Sequence, residues 1–189
     1  MYSQKIAKQV DKLIVSDIDA EAIKTIQNQL KSIDNIDYLV MDGIDKDQFR
    51  SKIDTIVLIN LIEHIKDDRL MIEQCYDILN TAGRLIIFAP AFQWLFSNYD
   101  RQAGHYRRYN KSMFQVILPD YFQIEKIQYF NKIGFFGWLI NKYSKSHINS
   151  KSTNTQIQLY DKMIPFLKYF DYLIPFIGQS IIVIATKKN

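Results

Sequence analysis

Four residues in the first ninety stand where a parallel α/β sheet would offer them to a ligand. Asp17, Asp42, Asn60 and Pro90 each follow a short apolar run: KLIVS (12–16), IDYLVM (36–41), TIVLI (55–59) and LIIFA (85–89). Small molecules bind beyond the carboxyl ends of such strands. A carboxylate placed there, ahead of a helix, can accept both hydroxyls of a ribose. A second aspartate one βα unit later can accept from an adenine amino group. An amide after the next strand can meet a charged amino or carboxylate head. Taken singly, each residue is more often a cap or a turn former. Four in order suit an adenosine-containing ligand.

The elements that must position them alternate. Apolar residues Ile23, Ile26 and Leu30 recur at helical spacing over 20–30, with Asp19 placed as the cap. A second helix is predicted over 67–80, with Met71, Ile72, Cys75, Ile78 and Leu79 on its apolar face, and a turn over 80–83. Residues 3–10 read as the end of a helix leading into the first run. Strands alternating with helices predict βαβ units on a parallel sheet. After Pro90 the alternation stops. A long connection, 91–110, carries Trp94, Phe96, Tyr99, His105, Tyr106 and Tyr109. A short helix is predicted over 111–117 and strands over 123–129 and 180–186. Two aromatic helical stretches over 133–177 flank a polar loop, 144–155.

Composition excludes several classes. With 189 residues, 48% hydrophobic, the chain is expected to form one domain with its own core. A single cysteine, Cys75, rules out a disulfide framework and reads as a buried, inert thiol. Three scattered histidines offer no metal-ligand spacing, so no metal site is expected. Residues 1–100 carry 11 Lys+Arg against 16 Asp+Glu, whereas residues 101–170 carry 11 against 3. The basic second part suggests an anionic partner, or else a solvated face. Aromatics alternate with aliphatics rather than with Lys and Arg, so nucleic acid is not expected. No apolar run reaches the ~20 residues of a membrane span. The Lys-flanked stretches at 133–140 and 164–177 read as helices over an apolar cleft or at a membrane surface. The expected setting is cytoplasmic, with peripheral membrane contact as an option.

Longer segments carry a resemblance. VSDID (15–19), VMDG (40–43), IDTIVLINLIEHIKDD (53–68) and LNTAGRLIIFAP (79–90) resemble successive strand motifs of class I S-adenosylmethionine-dependent methyltransferases, in the broad domain families numbered 11, 12 and 23. DRQAGHYRRYNKSMF (100–114) resembles the GHYRRY segment of a subgroup met with polysaccharide and glycolipid biosynthesis, whose members tend to end in a Gly-Gln-Ser strand, here Gly178-Gln179-Ser180. The resemblance implies a Rossmann-like three-layer sandwich with a mostly parallel sheet and a helical insertion before the last strand. It implies one domain, with 1–90 the cofactor-binding half and 91–189 the substrate side. Asp17 would hold the ribose hydroxyls of S-adenosylmethionine, with Ile18 against the adenine. Asp42 and Gly43 would meet the adenine edge, and Asn60 and Leu61 would line the methionine end. The substrate, a small or lipid-linked acceptor, would lie under 91–109, with Trp94 beside it.

Methyl transfer to a hydroxyl needs a general base. His105, in a polar loop, is the first candidate, then His64, then Tyr106. For His64 a purely structural hydrogen bond is the stronger reading. Arg107 and Arg108 are candidates to clamp a phosphate or carboxylate; the alternative role is to tie the long loop to the sheet. One departure stands out. The family has a first strand and a glycine-rich turn ahead of the strand at Lys12, and this sequence has no glycine before Gly43. The expectation is an N-terminally truncated enzyme, missing its first strand and impaired in cofactor binding. The alternative is a non-catalytic, degenerate binding module. A phosphoreceiver reading of Asp17 and Asp19 lacks the lysine expected after Ala89.

Overall fold

The computed structural model describes residues 2–132, 134, 135, 138 and 176–188. It divides into two compact units, Met1–Asp45 and Lys46–Asn189. The boundary expected at residue 90 falls inside the second unit, because the strand ending there pairs onward with the last strand of the chain. The aromatic helices predicted within 133–177 and the polar loop 144–155 lie outside the described residues, apart from 134, 135, 138, 176 and 177.

In the first unit, helix α1 (Tyr2–Ala7) leads into strand β1 (Leu13–Asp17), helix α2 (Ala20–Leu30) and strand β2 (Ile36–Val40). Asp19 caps α2 by accepting from the Glu21 and Ala22 amides, which satisfies donors that a helix start leaves unpaired. β1 and β2 run parallel, with Leu13 opposite Ile36 and Asp17 opposite Val40. The core is built from Ala7, Leu30 and Ile36, with Leu13, Val15, Ile26, Ile33 and Tyr38 packed against it. The Asn35 side-chain amide donates to the carbonyls of Ala7 and Val10 at 2.8 Å each, fixing the end of α1.

The second unit holds α3 (Lys46–Phe49), β3 (Ile53–Ile59), α4 (Asp68–Ile78), β4 (Leu79–Pro90), α5 (Asn98–Gln102), α6 (Lys111–Ile117), β5 (Phe122–Phe130) and β6 (Ser180–Lys187). The strand order is β3-β4-β6-β5. β3 runs parallel to β4, while β6 is antiparallel to both β4 and β5. The sheet is centred on β4 and β6. Leu85, Ile87 and Ala89 face Ala185, Val183 and Ile181 directly across the ladder, and all six are fully buried. Alternation places these pairs on one face, where branched cross-strand neighbours stabilise a sheet.

The turn predicted at 80–83 is drawn into β4. Ile53 pairs with Leu79 and Thr55 with Arg84, so the extra residues of β4 form a bulge, with Ala82 at φ 60°. Among the described residues, β1 is laddered only by β2, and β3 only by β4.

Cys75 is fully buried on the apolar face of α4, and burial pushes its thiol up to about 12. The folded chain is therefore expected to resist iodoacetamide at pH 8 and to take up one equivalent once denatured, as read by intact mass. Rapid alkylation of the folded chain would contradict this packing.

Candidate functional site

The loops after the parallel strands carry the residues singled out in the sequence. In the first unit Asp17 ends β1, and its Oδ1 accepts from the Asp19 amide at 2.9 Å. The Met41 amide donates to the Asp17 carbonyl, so the chain after β2 is tied to the tip of β1. Asp17 and Asp42 therefore stand at the same carboxyl end of this parallel pair, and both are exposed. Ile18 is 65% exposed, an unusual setting for so apolar a side chain beside two carboxylates. Gly43 adopts φ 95°, which only glycine reaches without strain, and a Cβ there would meet nothing within 4 Å.

In the second unit Asn60 and Leu61 follow β3 and are exposed. The Asn60 amide donates to the Phe88 carbonyl of β4, and Asn60 sits at φ 48°. Phe92, two residues beyond β4, sits at φ 62°. Both strand exits thus hold non-glycine residues in the left-handed region, which costs of order 1–3 kcal/mol each and persists where the surroundings enforce it. Trp94 is half exposed and packs with Phe92 and Phe135.

The GHYRRY segment is anchored by one carboxylate. Asp100 is 1% exposed. Its Oδ2 accepts from the Ser97 amide at 2.8 Å and hydroxyl at 3.1 Å, closing a capping box on α5. Its Oδ1 takes Arg108 Nε at 2.8 Å and His105 Nδ1 at 3.0 Å. A carboxylate paired with a guanidinium can only accept, so Nδ1 of His105 carries the proton. In this tautomer the imidazole keeps its lone pair at Nε2. Tyr106 is 53% exposed, and its amide donates to the Glu63 carbonyl.

The expected anion clamp does not match the placement of the two arginines. Arg108 is 2% exposed, bound to Asp100 and the Ala91 carbonyl, with its guanidinium 4.5 Å from the Trp138 ring centroid. Arg107 is spent on Asp68 at 2.6 Å and on the Lys66 carbonyl. Arg107 ties the long connection to the loop and helix after β3, while Arg108 ties two parts of that connection, Asp100 and Ala91, to each other. Tyr109 completes the anchor. It is fully buried, its hydroxyl lies 3.1 Å from the Ile62 carbonyl and 3.0 Å from Asp68 Oδ2, and burial and the Asp68 charge raise its pKa.

This anchoring brings together residues far apart in sequence. His64 and His105 meet edge to face at 4.6 Å between ring centroids. Glu63, fully buried, joins them, with ligand atoms of the three all within 4.8 Å of one another. Burial pushes the Glu63 carboxyl up to about 7, opposed by its own backbone amide and by Arg108. Burial and neighbouring His105 lower the pKa of His64, opposed by a hydrogen bond to the Gly104 backbone. Glu63 and Asp100 were missed as functional residues because acidic side chains are read as exposed by default. Their presence inside the two specific motifs was the available signal.

Comparison with known proteins follows the same line. Residues 1–85 match the family model described as a methyltransferase domain. No curated protein matches the sequence. Among solved structures, a Bacillus halodurans protein provisionally assigned as a methyltransferase aligns at TM-score 0.65 and 15% identity, over 97% of this chain and 86% of that one. The N-methyltransferase NodS from Bradyrhizobium japonicum aligns at TM-score 0.56 and 14% identity, over 100% and 80%. The PH0226 protein from Pyrococcus horikoshii aligns at 0.63 and 12%, over 99% and 76%. The first 85 residues thus resemble a methyltransferase domain, and the fold is the α/β, Rossmann-like one that the motifs imply. No described helix is long and apolar enough to cross a membrane.

Breaking a buried pair from one side strands the other charge. Asp100→Asn is expected to destabilise the chain by about 3–5 kcal/mol in urea denaturation. Tyr109→Phe, which removes one hydroxyl and keeps the ring stacked on Phe114, is expected to cost about 1–3 kcal/mol. Equal costs for the two would contradict the central place given to Asp100.

Proposed function

We propose that this chain is a methyltransferase that uses S-adenosylmethionine and acts on a hydroxyl of a glycan- or glycolipid-related acceptor. The observation that carries the reading is that the methyltransferase-domain match spans both Asp17 and Asp42, which stand exposed at one end of the β1–β2 ladder. Two carboxylates are what the hydroxyls and amino group of an adenosine require as acceptors. The acceptor set of the first unit therefore fits the adenosine half of the cofactor. The acceptor class is supported by the likeness of DRQAGHYRRYNKSMF to the glycan-associated subgroup. The excess of basic residues over 101–170 suits an anionic or lipid-linked acceptor, and a lipid-linked one implies peripheral membrane contact.

When bound, S-adenosylmethionine supplies a sulfonium-activated methyl group. Asp17 would accept from the ribose hydroxyls, Ile18 would cover the adenine, and Asp42 with the Gly43 backbone would meet its edge. His105 takes the acceptor's proton at Nε2 while Asp100 holds Nδ1–H, with a contribution of about 10²–10⁴-fold. Arg107 and Arg108 are each engaged in an internal ion pair, so substrate binding is assigned first to the exposed residues of the connection.

A second reading is a binding module of this fold without turnover. Under either reading the adenosine half has its acceptors, Asp17 and Asp42, so S-adenosylhomocysteine is expected to bind. Titrated into the ¹⁵N-labelled chain, it should shift the amides of Asp17, Ile18, Asp42 and Gly43, and Asp17→Asn should weaken binding at least about tenfold. Shifts confined elsewhere, or an unaffected Asp17→Asn variant, would overturn the adenosine assignment. With a hydroxyl acceptor in hand, turnover that survives His105→Ala unchanged would remove the base.

A further inference from the structure

The Glu63, His64 and His105 cluster has features that acid–base chemistry does not require. The first is an orphaned acceptor. Glu63 is 1% exposed, and its Oε2 is buried with no hydrogen-bond partner. Native proteins rarely leave such an atom unsatisfied, and each case calls for an explanation. The second is the disposition of the two rings. His105 is held from behind by Asp100 at Nδ1, which leaves Nε2 free to bind. His64 places Nδ1 beside Gly104, 3.8 Å from where a Cβ on that residue would stand. An imidazole whose far nitrogen is pinned by a carboxylate or by backbone is the arrangement that orients a metal ligand. The third is convergence: one carboxylate oxygen and two imidazole nitrogens lie within 4.8 Å of one another.

We infer that Glu63, His64 and His105 bind one divalent transition-metal ion of the zinc class. Two nitrogen donors and one oxygen select against calcium and magnesium, which take oxygen cages, and suit zinc, cobalt or ferrous iron. Three protein ligands leave a position for an exchangeable oxygen ligand, as in catalytic rather than structural zinc sites. Ligand bonds of ~2.0–2.1 Å require the donor atoms to draw closer than they stand here. His64 is exposed and its ring can make that adjustment. The ion would give the buried Glu63 Oε2 the partner it lacks.

The inference stands on the geometry of the second unit and does not rest on methyl transfer. It does alter the chemistry available to that reaction. In the metal-bound chain His105 Nε2 is a ligand rather than a base. An oxygen ligand in the open position would have its pKa lowered by the ion, so a hydroxyl held there could lose its proton to solvent water instead of to His105.

The test uses the whole chain, stripped of metal and titrated with Co²⁺, followed by visible d–d absorption and then by displacement with Zn²⁺. One equivalent is expected to bind and to be displaced by zinc. Glu63→Gln, which keeps the side-chain shape, and His64→Ala are each expected to weaken binding at least about tenfold. His147→Ala, the third histidine of the chain, is the control and should change nothing. Circular dichroism establishes that each variant is folded. If Glu63→Gln is not folded, the exposed His64 decides the matter. Absence of saturable binding up to about 1 mM, or binding untouched by loss of Glu63 and His64, would overturn the assignment.

Discussion

A carboxylate sealed from water at Asp100 organises the second unit. Four donors converge on its two oxygens: the Ser97 amide and hydroxyl, the Arg108 guanidinium and the His105 ring. A buried carboxylate would be costly if any were withdrawn, because interior charges are tolerated only when paired and hydrogen-bonded. That requirement couples a short helix, α5, to the loop after it and to the chain leaving β4. One constraint therefore sets the ring plane of His105, the burial of Arg108 and the path of the connection between β4 and α6.

The anchoring continues at Tyr109, which meets Ile62 and Asp68 while Arg107 meets Asp68 and Lys66. These contacts clamp the GHYRRY segment onto the loop after β3. They explain why a stretch rich in arginine and tyrosine is more structural than its composition suggests. They also explain the closeness of residues 63–64 and 105, which are separated by two helices and a strand in sequence. The left-handed backbone at Asn60 and Phe92 marks the two exits from the parallel pair that this clamp covers.

The first unit is governed more locally. Asp19 caps the helix after β1, Asp17 holds the Asp19 amide, and the parallel register places Asp42 beyond the same sheet end. These are short-range consequences of strand, cap and turn chemistry. For that reason α2 was legible to the residue, and β1 and β2 to within one. The bulge at 80–83 was read as a turn because Asn-Thr-Ala-Gly carries turn signals; the ladder to β3 absorbed it. Helices α3 and α5 were too short to show a period.

Sequence alone determined the alternation of strands and helices, the strand-end aspartates and asparagine, and the motifs that carry the methyltransferase resemblance. All of these are encoded by neighbours a few residues apart. Tertiary structure alone decided which charges are buried. It turned Arg107 and Arg108 from ligand-binding candidates into internal ties, gave His105 its tautomer, and joined Glu63 to two histidines. The physical reason is that desolvation and pairing depend on which segments the fold packs together, near in sequence for Asp100 with His105 and Arg108 and some forty positions apart for Arg107 with Lys66, and no local pattern records whether a glutamate faces water or the interior.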